Sequence, residues 1–254
     1  MEKKNSIKEI KEQYNEISVL ETKKFVEMYK DDSRSGVQKI IASALRKKEL
    51  YEKEIERTEQ MKEYERKYGE CAYICGIDEV GRGPFAGPVV AGAVILPKDC
   101  NILYINDSKK LSAQKREALY DQIMKEAIAV GLGVVSPEVI DEINILQATY
   151  EAMRIAINKL GIVPYILLND AVNIPKVNIR QIPIVKGDAK SISIAAASIV
   201  AKVTRDRMME EYGKIYPEYN FAGNKGYGSS EHIEALKKFG PSPIHRKSFI
   251  KNYV

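Results

Sequence analysis

Over the first seventy residues, apolar side chains recur every three or four positions, the period of a helix with one buried stripe. Ile7, Ile10, Tyr14 and Ile17 mark one helix, with Ser6 placed as its N-cap. Phe25, Met28 and Tyr29 mark a second short helix, closed by the polar run Asp31 to Ser35. From Val37 to about Tyr68 no breaker interrupts the pattern, which predicts one rod about 50 Å long. Its apolar side is fair at first (Val37, Ile40, Ile41, Ala44, Leu45) and then thins. Tyr51 to Lys67 alternates in charge, as solvated helices do.

After Cys71 the pattern changes to short apolar runs separated by amphipathic stretches. Ala72 to Ile77 and Val89 to Leu96 predict adjacent strands of a hairpin. Ala129 to Val135, Tyr165 to Leu168 and Ile182 to Val185 predict three more strands. Helices are expected over Ser112 to Ala127, from the Ser136-Pro137 start signal, over Leu146 to Leu160, over Ser191 to Tyr212 and over Glu231 to Phe239. A Pro-Ser-Pro break then precedes a basic tail segment, His245-Arg246-Lys247. The chain therefore reads as a helical N-terminal extension, residues 1–70, and an α/β domain, residues 71–254, with a helical C-terminal part.

Composition narrows the class. No run of about 18 apolar residues suggests a membrane span. The charged stretch Met1 to Ser6 does not look like a secretory signal. Three cysteines (Cys71, Cys75, Cys100) without metal-site spacing fit free thiols in a reducing cytoplasm. The net charge of +5 sits mostly after residue 70, which suggests a polyanionic partner. Residues 1–70 are either a docking appendage or an extra grip on nucleic acid.

The candidate chemistry lies at strand ends. Asp78 with Glu79, Asp170, and Asp188 each follow an apolar run. A solvated loop explains any one of these acids; four in such positions point to a site. Carboxylates without histidine or cysteine companions suit hard cations such as Mg²⁺ or Mn²⁺. His232 and His245 lie in other segments, which argues against zinc. Two such ions about 4 Å apart can activate a water and stabilise the leaving oxygen of a phosphodiester. No plausible Ser-His-Asp or Cys-His system competes with this reading.

The Gly81-Arg82-Gly83 turn is no dinucleotide fingerprint, because the next glycine, Gly87, comes one residue too late. A Walker-type phosphate loop is also missing. Glycines beside a metal site do let backbone approach a sugar, and contact with a 2′-hydroxyl separates RNA from DNA. Asn106 to Lys110 is a polar loop with two lysines that suits phosphate. Tyr227, between Gly226 and Gly228, suits stacking on a base or sugar.

Taken together, residues 71–250 resemble the bacterial ribonuclease HII family, the type 2 ribonucleases H. The resemblance is carried, in order, by Gly-Ile-Asp-Glu-Val-Gly-Arg-Gly-Pro (76–84), Asn-Asp-Ser-Lys-Lys-Leu-Ser (106–112), Asp-Glu-Ile-Asn-Ile-Leu (141–146) and Lys-Gly-Asp (186–188). It continues through Ala-Ala-Ser-Ile-Val-Ala-Lys-Val-Thr-Arg-Asp (196–206), Lys-Gly-Tyr (225–227) and His-Arg-Lys-Ser-Phe (245–249). The helical extension is similar to that of ribonucleases HII from Gram-positive bacteria.

The resemblance implies a ribonuclease H-like fold, a mixed five-stranded sheet flanked by helices. It implies catalysis by Asp78, Glu79, Asp170 and Asp188 with Mg²⁺ or Mn²⁺ at a two-metal site. It implies cleavage of RNA–DNA hybrids, and cleavage 5′ of single ribonucleotides embedded in duplex DNA, leaving 3′-hydroxyl and 5′-phosphate ends. Gly81, Arg82 and Gly83 would read the 2′-hydroxyl, and Tyr227 would stack on the following deoxyribose. Asn106 and Lys109 would contact flanking phosphates. The protein is expected to be a cytoplasmic monomer.

Two positions depart from the family: Asn169 stands where an apolar residue is usual, and Ala171 where glycine is common. The sister ribonuclease HIII carries Gly-Lys-Gly at the turn and a sheet-containing N-terminal domain, so Arg82 and a helical extension separate the two. The rivals are a non-catalytic nucleic-acid-binding module and a nucleotide-cofactor enzyme. The intact acid set argues against the first, the mis-spaced glycines against the second.

Overall fold

The computed structural model describes residues 5–254, so only Asn5 and Ser6 of the charged N-terminal stretch fall within it. The chain divides into two compact units, Met1–Glu59 and Gln60–Val254.

The first unit is built by α1 (Ile7–Glu16), α2 (Thr22–Tyr29) and most of α3 (Ser35–Gln60). Ser6 caps α1: its hydroxyl accepts from the Glu9 N–H, and the Glu9 carboxylate accepts from the Ser6 N–H. Ile10, Phe25, Tyr29, Val37, Ile40, Ile41 and Ala44 form its core. Met28 points outward instead, 63% exposed, because the buried face of α2 runs through Phe25 and Tyr29.

The rod expected from Val37 to Tyr68 stops at Gln60. The short α4 (Glu63–Lys67) follows. Met61 is buried in the second unit's core and its carbonyl accepts the Ile192 N–H at 3.0 Å. Those tertiary contacts end the helix where the local sequence holds no breaker.

In the second unit, β1 (Ile74–Val80) and β2 (Val89–Ile95) form the expected hairpin. Then come α5 (Ala113–Glu126), β3 (Ala129–Val135), α6 (Pro137–Asn158), β4 (Ile166–Asp170) and β5 (Arg180–Ile184). After these lie α7 (Ile192–Ile215), α8 (Phe221–Asn224), α9 (Ser230–Phe239) and α10 (Lys247–Ile250). The strand order is β3-β2-β1-β4-β5. β1 pairs antiparallel with β2 and parallel with β4, so the sheet is mixed. Within α6, Asn144 is non-helical, and its side-chain oxygen accepts the N–H groups of Leu146 and Gln147. The two helices expected from the sequence meet at that cap.

One long helix covers each face of the sheet. A Cβ on Gly76 would lie 2.1 Å from the backbone of Ser193, and one on Gly92 2.5 Å from the Ala197 carbonyl, so α7 packs directly on the hairpin. On the other face, a Cβ on Gly133 would lie 1.8 Å from the Ala152 carbonyl of α6. The small residues of α7 (Ala195, Ala196, Ala197) are all fully buried, which permits this approach. Among the described residues, no helix is long and apolar enough to cross a membrane.

Candidate active site

Asp78 pairs across the hairpin with Gly92, so its side chain leaves the sheet on the α7 face. There it is 6% exposed, and it accepts hydrogen bonds from the Ser198 hydroxyl and, at 2.8 Å, from the Glu79 N–H. Burial, then the neighbouring Glu79 carboxylate, hold its carboxyl well above the ordinary range. Glu79 is raised too, chiefly by burial, although the Arg82 guanidinium 3.2 Å away opposes the shift.

Asp170 reaches the same end of the sheet because β4 runs parallel to β1, with Asn169 opposite Ile77. Its Oδ1 accepts the Gly187 N–H at 2.8 Å. Asp188 follows in a 3-10 turn, Gly187–Ala189, entered through Lys186 in the left-handed conformation. Burial, then the charges of Asp107 and Asp170, push the Asp188 carboxyl upward. Each acid thus lies within the field of at least one other. Among the described residues, no three His, Cys, Asp or Glu side chains converge as a ready-made ion cage.

The two departures around Asp170 have a local account. Asn169 is fully buried; its amide donates to the Val172 carbonyl and the Gln181 side chain, tying down the chain just past Asp170. Among the described residues its Oδ1 finds no partner. Ala171 has φ 55°, the left-handed region where glycine is at ease, so its Cβ is strained.

The loop carrying Asn106 and Lys109 is anchored next to the acids. The Ser108 hydroxyl meets that of Ser198 at 2.9 Å, and Arg116 donates to the Ser108 carbonyl. Asn106 accepts from the Asp107 N–H, and Lys109, exposed, lies close enough to Asp188 to act on its charge.

The Gly81–Gly83 turn is held from behind by residues far along the chain. Arg246 donates to the carbonyls of Gly81 (2.6 Å), Arg82 (3.0 Å) and Gly87 (2.9 and 2.8 Å). Arg205 donates to those of Pro88, Lys225 and Ala86. Both side chains are fully buried, and burial draws their pKa values down to about 9 and about 10, still charged at neutral pH. The segment 245–247, expected to be a basic tail, is therefore largely internal: His245 and Arg246 are buried, and only Lys247 is exposed.

Tyr227 is 44% exposed, and its ring stands beside the turn: a Cβ on Gly83 would lie 3.8 Å from its Cε1. A histidine pair fixes its backbone. The Ser242 N–H donates to His245 Nδ1, so His245 carries its proton on Nε2 and donates to His232 Nε2 at 2.9 Å. His232 Nδ1 then donates to the Tyr227 carbonyl at 2.8 Å. Both rings are neutral; burial depresses His232, and burial together with His232 takes His245 to about 4. Arg205, Arg246 and this pair are the parts that sequence reasoning missed.

Comparison with known proteins agrees with this architecture. The family model for Ribonuclease HII matches residues 75–252, and that for the Ribonuclease HII N-terminal domain matches residues 6–69. A ribonuclease HII of Lachnoclostridium phytofermentans is 67% identical over 224 residues, 88% of each chain. One of Clostridioides difficile is 51% identical over 251 residues, 98% of each chain. Among solved structures, ribonuclease H2 of Pyrococcus horikoshii superimposes with a TM-score of 0.58 at 31% identity, over 69% of this chain and 93% of that one. The Archaeoglobus fulgidus ribonuclease HII, solved in complex with PCNA, gives 0.59 at 28%, over 70% and 94%. The mixed sheet with its flanking helices is thus the ribonuclease H-like fold. With both family models spanning nearly the whole sequence, the chain belongs to the ribonuclease HII family and is a type 2 ribonuclease H.

Proposed function

We propose that the protein cleaves the RNA strand of RNA–DNA hybrids and nicks duplex DNA 5′ of single embedded ribonucleotides, leaving 3′-hydroxyl and 5′-phosphate ends. The observation that carries this reading is the proximity of three parts: the acids at the ends of β1 and β4, the clamped Gly81–Gly83 turn, and the Tyr227 ring beside Gly83.

Asp78, Glu79, Asp170 and Asp188 are the catalytic set and the metal ligands. Their donor type fits Mg²⁺ or Mn²⁺: all are carboxylates, and three are raised by burial and by like charge, a penalty that a divalent cation would relieve. When bound, such metals supply water activation and neutralise charge on the phosphate.

The chain's own residues do the rest. Gly81, Arg82 and Gly83 read the 2′-hydroxyl, with their backbone able to approach the ribose closely. Tyr227 stacks on the next deoxyribose and favours an RNA–DNA junction. Asn106 and Lys109 contact flanking phosphates, which places the scissile bond over the acids. Residues 1–70 act as a helical extension to this catalytic domain, and the whole works in the cytoplasm as a monomer.

The test is a labelled DNA duplex carrying one ribonucleotide, with all-DNA and RNA–DNA hybrid controls, in Mg²⁺, in Mn²⁺ and in EDTA. A metal-dependent nick 5′ of the ribonucleotide, absent from all-DNA, is the expected result. Cutting of the hybrid alone would remove the roles of the turn and Tyr227, and no cutting in either metal would leave a binding protein on a nuclease fold.

A further inference from the structure

Two fully buried cations stand behind the proposed 2′-hydroxyl reader. Among the described residues neither Arg205 nor Arg246 forms an ion pair with a carboxylate; between them they collect backbone carbonyls of residues 81, 82, 86, 87, 88 and 225. Asp206 and Asp141 act on these charges only from beyond ion-pair distance. Burying a cation with no carboxylate in contact is expensive, and an apolar side chain of similar volume would fill the space at lower cost. What an apolar side chain cannot do is set the direction of those peptide groups.

That direction has a consequence on the opposite side. A peptide unit is planar and trans, so its C=O and N–H point opposite ways. With the Gly81 and Arg82 carbonyls drawn inward to Arg246, the N–H groups of Arg82 and Gly83 face away from it. Among the described residues neither amide donates to another protein group. The Tyr227 ring lies next to Gly83. Arg205 links the two halves: one guanidinium holds Ala86 and Pro88 beyond the turn and Lys225 before the tyrosine.

We infer that Arg246 and Arg205 are positioning residues for ribose recognition: they fix the turn so that the Arg82 and Gly83 amides stay aimed at a 2′-hydroxyl, and lock the Tyr227 loop to it. This rests on the proposed reading of residues 81–83 as the 2′-hydroxyl reader. The charge also polarises each clamped peptide, which strengthens its N–H as a donor.

The test uses the full chain. Arg246→Lys and Arg205→Lys keep the charge but lose the planar fork that bridges three carbonyls at once. Folding is checked by thermal unfolding, and kcat and KM are measured separately on the single-ribonucleotide duplex in Mg²⁺. For R246K we expect kcat to fall about ten- to a hundredfold while KM, set by phosphate contacts, changes by less than about threefold. A merely structural loss would lower the unfolding temperature and the fraction of active enzyme. The kcat is therefore referred to the active fraction given by the single-turnover amplitude, where a structural role leaves the rate constant unchanged. A folded R246K with kcat within twofold of wild type overturns the inference.

Should R246K not fold, R205K is read by the same split, and a folded R205K with kcat within twofold of wild type overturns the inference. The reading beneath it is tested separately with ¹⁵N-labelled wild type in EDTA. The Arg82 and Gly83 amide resonances should shift with the single-ribonucleotide duplex and not with all-DNA duplex, and identical shifts with both would break the 2′-hydroxyl reading. A wild-type enzyme that nicks both duplexes alike would break the 2′-hydroxyl reading itself, and the inference with it.

Discussion

The hydroxyls of Ser108 and Ser198 meet 2.9 Å apart in the interior, and Ser198 also donates to Asp78. One side chain of α7 thereby holds both the first acid of the site and the loop bearing Asn106 and Lys109. Ser198→Ala should slow nicking of the single-ribonucleotide duplex roughly tenfold, the worth of one hydrogen bond to a charged group, with duplex affinity unchanged. Single-turnover rates compared with filter binding test this; an unaltered rate would remove Ser198 from the positioning of Asp78.

Asp78→Asn is expected to abolish cleavage while duplex binding persists, because the substitution keeps shape and removes one metal-binding charge. Retained nicking in Mg²⁺ would sink the assignment of the acids.

Tyr227→Ala should reduce cleavage at an RNA–DNA junction by about ten- to a hundredfold, the range of one lost stacking contact. Binding should suffer less. Equal rates for wild type and variant on junction substrates would leave the exposed ring without this role.

At Ala171, φ 55° strains the Cβ. Ala171→Gly should raise stability by about 1 kcal/mol, offset in part by the greater freedom of an unfolded glycine. For a chain of this size that is a rise of about 2–4 °C in the unfolding temperature. A lower unfolding temperature would contradict the strain account.

The histidine pair makes the protein sensitive to acid. Both folded-state pKa values are depressed, His245 to about 4, whereas an unfolded histidine titrates near 6.5. The unfolded chain therefore binds more protons below that value, so stability is complete above about pH 6.5 and declines as pH falls towards 4. His245 alone contributes on the order of 3 kcal/mol to that decline. Denaturant midpoints measured from pH 7 to pH 4.5 should fall more steeply for wild type than for a His245→Asn variant.

Much of this was legible in the sequence because strand ends and turns are local signals. Asp78 after Ile77, the paired glycines at 81 and 83, and the Ser136-Pro137 start depend only on neighbouring residues. The resemblance of spaced motifs supplied the rest of the candidate set. Arg246 was not legible: a basic triplet after Pro-Ser-Pro looks like surface, and only the folded carbonyls of residues 81, 82 and 87 draw it inside. The break after Gln60 was hidden likewise, since Met61 leaves the helix to join a core assembled from distant segments. The Glu65 carboxylate then accepts from the Ser191 hydroxyl and the Ser193 N–H at the start of α7, a pairing of residues 126 and 128 positions apart.

The clamp on the turn spans 165 residues, from Gly81 to Arg246. On a ribosome adding about 5–20 residues per second, the turn emerges roughly ten to thirty seconds before its clamp is made. The four acids and the Asn106–Lys110 loop emerge earlier as well, so a nascent chain carries these carboxylates before the turn is fixed. The segment carrying Arg246 thus acts as a completion signal: a chain stopped before it would carry the four carboxylates with an unclamped turn.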